Sequence, residues 1–140
     1  MRQILLFAAL AASLTLLSSC ALSKTKEDTA KESSSKAAYQ KISAEEAYEM
    51  MASQEVVVVD VRTREEYDGG HIENAVLVPN ENIGSEMPEA LPDKEAPLLV
   101  YCRSGRRSKD AAEKLLALGY QSVYDFGGVI DWPYELVKEG

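Results

Sequence analysis

Basic residues are in deficit, histidine and cysteine are nearly absent, and only one apolar run is long. The 140-residue chain has 15 Lys and Arg against 23 Asp and Glu, a net charge of −8. Nucleic-acid binding draws on a net basic face, so this balance argues against that partner. Small anions stay open, because local charge can oppose the total. There are two cysteines, Cys20 and Cys102, and one histidine, His71. No internal repeat is present. The one long apolar run covers residues 4–17, short of the roughly 20 residues that a membrane-spanning helix needs.

That run belongs to MRQILLFAALAASLTLLSSC: a short basic start, an apolar stretch, then small residues. This is the layout of an export signal. Its last four residues, LSSC at 17–20, resemble the lipobox of bacterial lipoproteins. The resemblance implies a leader at 1–19 that is removed and acyl chains on Cys20. One chain binds membranes only marginally, whereas two or three anchor firmly. The alternative is a plain secretory signal with a chance cysteine. The expected location is the periplasmic face or the outer cell surface. With Cys20 lipidated, Cys102 is left as the lone thiol, so no intramolecular disulfide forms. One Cys and one His cannot fill a tetrahedral zinc site.

Residues 20–38 are small, polar and charged and read as a flexible tether, so the domain spans 39–140. SAEE at 43–46 has the capping-box pattern and predicts a helix to about residue 52. VVVVDV (56–61) is a β-branched run without alternation, the pattern of a parallel strand buried on both faces. TREE (63–66) repeats the capping pattern and opens a short helix stopped by Gly69 and Gly70. Residues 71–80 read as a turn and short strand, and 80–97, with three prolines, as a loop. PLLVYC (97–102) is a second buried strand, residues 108–119 a helix, 122–126 a strand, and 129–140 a final helix with Pro133 in its first turn. Strands alternating with helices predict one α/β domain, a central parallel sheet flanked by helices.

The chemistry concentrates in YCRSGRRS (101–108), where Cys102 falls at a strand end before a helix. Ligand sites in open α/β sheets lie beyond the carboxyl ends of the strands. A loop curling into a helix start aims backbone N–H groups inward, and the helix adds its positive end. Gly105 lets the backbone bend there. Such a cradle lowers a thiol pKa from its free value of about 8.5. Arg103, Arg106 and Arg107 offer planar forks for an oxyanion. The bland alternative is a structural cysteine beside a solvated basic run.

DVRTREEYDGGHIENA, YCRSGRRS and GYQSVYDFGGVIDW together resemble the single-domain rhodaneses, thiosulfate-type sulfurtransferases. The likeness covers residues 40–140 with three ordered motifs. It implies that Cys102 accepts a sulfane sulfur, becomes a persulfide and hands the sulfur to a thiol or cyanide-like acceptor. It also implies a six-residue loop of Cys102, Arg103, Ser104, Gly105, Arg106 and Arg107, with amides holding the persulfide and arginines orienting the donor. No metal or organic cofactor is implied. Asp60 and Arg62 then form an ion pair fixing the first strand end, His71 ties the turn backbone, and Ser108 has a supporting structural role. Two positions depart from the usual pattern, Arg64 for a proline and Asn74 for a glycine; asparagine is the next best residue for a left-handed turn, and neither change bears on the sulfur chemistry.

Three rival readings remain. Phosphatases and arsenate reductases need a Cys-x5-Arg loop, whereas here the arginine, Arg107, comes one residue early and Ser108 takes its place. A cysteine hydrolase would pair Cys102 with His71, which sits in a GGHI turn. A carrier of rhodanese fold would load Cys102 and pass sulfur to a partner without turnover. Trp132 and Tyr134 read as packing for the last helix, and Tyr101 as strand.

Overall fold

The computed structural model describes residues 37–138. The expected leader, Cys20 and most of the tether lie outside the described residues. From Tyr39 onward the chain alternates strand and helix: β1 (Gln40–Lys41), α1 (Ala44–Ser53), β2 (Val57–Asp60), α2 (Arg64–Asp68), β3 (Val76–Leu77), β4 (Leu98–Cys102), α3 (Arg106–Ala117) and β5 (Val123–Gly128). The five strands form one sheet in the order β1-β5-β4-β2-β3, every pair parallel. The fold is α/β, a central parallel sheet with helices on both faces.

Local chemistry accounts for the elements. Both predicted capping boxes form: the Ser43 hydroxyl accepts from Glu46 N–H while Glu46 accepts from Ser43 N–H, and Thr63 and Glu66 do the same for α2. Each box satisfies two amide donors that a helix start otherwise leaves unpaired. Strand β4 lies in the middle of the sheet, and all five of its residues are buried. Its side chains alternate between two cores. Leu98, Val100 and Cys102 join Val59, Val61 and the α3 residues Ala111, Ala112 and Leu115. Leu99 and Tyr101 join Ala47 of α1, Tyr67 of α2, Ile72 and Phe126. Asn74 adopts φ 61 in the turn before β3, a conformation asparagine tolerates better than most residues.

Two expectations need correction, and one element was not anticipated. The final helix over 129–140 does not form. One 3-10 turn spans Val129–Asp131, and Val137 then pairs antiparallel with His71 through two backbone hydrogen bonds of 2.8 and 2.9 Å. Proline disfavours helical dihedrals at the residue before it, and Trp132, before Pro133, is extended at φ −75°, ψ 115°. Trp132 and Tyr134 do pack, but on Phe126 and Tyr48 and without a helix. Helix α3 starts at Arg106 rather than Ser108, so two of the three arginines belong to its first turn. The edge strand β1 went unpredicted, since two exposed residues carry no periodicity.

Candidate active site

Strand β4 ends at Cys102, and the chain turns through Arg103 and Ser104 to Gly105, the N-cap of α3. Gly105 has φ +95°, the left-handed region that favours glycine. That turn brings the Gly105 N–H to 3.0 Å from Cys102 Sγ, to which it donates. The loop lies directly on the end of β5. A Cβ at Gly128 would collide with the Arg103 carbonyl and stand 2.6 Å from Ser104 Cα, so only glycine allows this approach. The Ile130 N–H then donates to the Arg103 carbonyl at 3.2 Å. The GG pair of the β5 motif thus forms the floor on which the thiol loop rests.

Cys102 is 1% exposed and unpaired. Burial is the largest influence on its acidity and pushes the thiol up. The amides of Ser108, Ser104 and Gly105 oppose it, and the thiol is held below its usual value. The loop and the first turn of α3 together therefore favour a thiolate, the nucleophilic form of cysteine.

The arginines divide. Arg107 is clasped by Glu66 of α2 through two bonds, Nη1 to Oε2 at 2.7 Å and Nη2 to Oε1 at 2.8 Å. This fork, opposed by partial burial, holds the Glu66 carboxyl down at about 2 and raises Arg107 further. Arg103 and Arg106 are exposed. Arg106, Arg107, Ser104, Asn80 and Asp110 line an open cleft of about 670 Å³ at the loop. Asp110 is itself engaged by Lys114 and Asn80, each at 2.8 Å. Free positive charge on the cleft wall therefore comes from Arg106 ahead of Arg107, with Arg103 exposed in the adjoining loop.

Behind the thiol, Ser108 is fully buried, its Oγ 3.7 Å from Cys102 Sγ and 2.7 Å from Asp125 Oδ1. Asp125 is a site residue the sequence reading missed. The signal was present as one carboxylate in the apolar stretch SVYDFGG, the composition of a buried strand.

The other singled-out residues lie across the sheet. Asp60 and Arg62 form a buried ion pair, Arg62 Nη2 to Asp60 Oδ2 at 2.6 Å, and Arg62 also donates to the Gly70 carbonyl at 2.8 Å. Tyr101 completes the knot, its hydroxyl donating to Asp60 at 2.6 Å and accepting the Ile72 N–H at 3.1 Å. Burial beside this carboxylate raises the Tyr101 phenol strongly. His71 Nδ1 is 2.9 Å from the Tyr67 carbonyl, and the two rings stack at 3.6 Å. These groups share the core of Tyr101 and Tyr67, whereas Cys102 faces the core of α3. No His71–Cys102 pair forms. Among the described residues no group of three or more His, Cys, Asp or Glu side chains is arranged to hold a metal ion.

Comparison with known proteins agrees with this geometry. Residues 43–133 match the family described as Rhodanese-like domain. A tRNA uridine(34) hydroxylase from Hamiltonella defensa is 35% identical over 98 residues, 66% of this chain but only 28% of that protein. The solved structure of a rhodanese with anions from E. coli is 34% identical, with a TM-score of 0.56, covering 61% of this chain and all (100%) of the other. A human single-domain sulfurtransferase is 26% identical, with a TM-score of 0.59, covering 66% of this chain and 93% of the other. With its thiol loop seated on a glycine pair at the carboxyl end of a parallel sheet, and its match over residues 43–133, the chain belongs to the rhodanese-like domain family.

Proposed function

We propose that the chain is a sulfurtransferase that carries sulfane sulfur on Cys102. The observation that supports this most is the thiol held 3.0 Å from the Gly105 N–H at the start of α3, below an arginine-lined cleft. In the forward half-reaction the Cys102 thiolate attacks the outer sulfur of thiosulfate. Its S–S bond breaks, sulfite leaves with the bonding pair, and Cys102 carries a persulfide. In the second half-reaction cyanide or an acceptor thiolate attacks the terminal sulfur, and the electron pair of that S–S bond returns to Cys102. The loop amides of Ser104 and Gly105 face the sulfur, and Arg103 and Arg106 receive the anionic end of the donor. No organic cofactor or metal takes part in this scheme.

The relatives named for tRNA hydroxylation are longer proteins of which this chain spans about 28%, and with a net charge of −8 a tRNA substrate is not part of the proposal. The LSSC sequence at 17–20 supports a further part of it: an exported protein anchored through lipid on Cys20.

The test is the intact mass of the purified protein after reduction and incubation with thiosulfate. One sulfur atom gained by wild type, absent from Cys102→Ser and removed by cyanide as thiocyanate, is the expected result. A folded, reduced protein that gains no sulfur sinks thiosulfate as donor. Loading without release to cyanide or free thiols shifts the reading to a persulfide carrier.

A further inference from the structure

Asp125 is the one charged residue of β5 and is 1% exposed. A carboxylate buried that deeply needs partners, and four groups converge on it. Its Oδ1 accepts from Ser108 Oγ at 2.7 Å and from the Gly127 N–H at 2.8 Å. Its Oδ2 accepts from the Tyr39 hydroxyl at 2.7 Å and faces Lys41 Nζ at 3.2 Å. The Ser108 branch leads back to the thiol, 3.7 Å away.

A hydroxyl has one proton to give. The Gly105 and Gly127 carbonyls lie 3.1 and 3.3 Å from Ser108 Oγ, farther than Asp125 and neutral. Charged acceptors make the shorter and stronger bonds, so the proton belongs to Asp125. Ser108 therefore turns a lone pair toward Cys102. In that orientation it accepts a proton from a thiol and gives none to a thiolate.

We infer that Ser108 and Asp125 form a relay that draws the proton from Cys102 as sulfur attacks its donor, and this rests on the sulfur-transfer reading above. The S–H proton passes to Ser108 Oγ while the Ser108 proton passes to Asp125 Oδ1. The S–H bonding pair stays on sulfur as the attacking pair. Ser108 then holds the proton that came from Cys102 and directs it at sulfur, and Asp125 is a neutral acid. One negative charge has moved from carboxylate to sulfur and none has been created. Tyr39 and Lys41, the latter 51% exposed at the edge of the sheet, both contact Asp125 Oδ2, and the route from the carboxyl group to solvent runs on that side. The titratable and charged groups facing this chain of contacts are Tyr39 and Lys41 from β1, Cys102 from β4, and Arg107 and Glu113 from α3. Ser108 and Asp125 are thus positioning residues whose effect is read in the pH dependence of the thiol.

The experiment follows Cys102 alkylation by iodoacetamide across pH on the full chain in detergent. Peptide mass spectrometry separates Cys102 from Cys20, and thiosulfate loading is measured in parallel. Relay assistance makes the wild-type rate fall more gently in acid than the thiolate fraction. Ser108→Ala should lower the acid-limb rate about a hundredfold, the deficit narrowing as rising pH ionises the thiol without help. Ser108→Thr should restore the limb, and Asp125→Asn should match Ser108→Ala. A merely structural defect would depress both limbs alike and resist rescue by threonine. An acid limb unchanged in Ser108→Ala overturns the relay, whether or not Asp125→Asn folds. The expected alkylation profile with no sulfur loaded from thiosulfate upholds the relay and removes the donor.

Discussion

Glu66→Gln isolates the charge that holds α2 against the thiol loop. Glutamine keeps an oxygen to accept the Thr63 N–H, so the capping box survives while the fork to Arg107 loses its charge. The Glu66 carboxyl sits at about 2 against an ordinary 4.5. A shift of that size, at about 1.36 kcal/mol per pH unit, sets a ceiling of about 3.4 kcal/mol. The two side chains are 28% and 32% exposed, and solvent screening trims such pairs, leaving an expected loss of about 1–2 kcal/mol. The sign follows from a depressed carboxyl: its contribution is complete above 4.5 and disappears as pH falls toward about 2. Urea unfolding of wild type and variant at a series of pH values reads this directly. The gap should be full at neutral pH and close on acidification through that window. A gap of the same size at both ends, or none at neutral pH, refutes the reasoning. In the sulfur-transfer assay, Arg107 is released toward the cleft it lines, and the KM for thiosulfate should fall.

Other outcomes follow from the same geometry. Gly128→Ala drives a methyl into the Arg103 carbonyl and Ser104, and should cut the Cys102 alkylation rate at least about tenfold while the far-ultraviolet circular dichroism stays native; overpacking of this kind costs about 1–3 kcal/mol. Tyr101→Phe removes the hydroxyl between Asp60 and the Ile72 N–H; thermal unfolding should show a loss of about 1–3 kcal/mol, and Cys102, on the other face, should alkylate at the wild-type rate. Asp60→Asn leaves the Arg62 guanidinium buried without its counter-charge and should cost about 3–5 kcal/mol in urea unfolding.

Elements whose cause is local were legible. The two capping boxes, the β-branched run of β2 and the left-handed Asn74 each follow from a few consecutive side chains. The final helix was misread because its neighbours act from afar. Val137 bonds to His71, and Trp132 rests on Phe126, which no helical periodicity records. Strand β1 exists because β5 offers it an edge. The site was legible as a loop, since strand, cysteine, glycine and helix follow one another in the chain. Its division of labour was not, because Glu66 lies 41 residues from Arg107 and Asp125 lies 17 from Ser108.

By itself, the order of residues determined the parallel α/β architecture and the position of Cys102 at the end of a buried strand. Periodicity, caps and glycines act within a few residues, and the chain carries them wherever it goes. Only the tertiary structure decided which arginine stays free, why Gly128 must be glycine, and where the proton of Cys102 is led. Those depend on side chains from α2, α3, β1 and β5 meeting in one place, and hydrogen bonds and charge act across space without regard to distance along the chain.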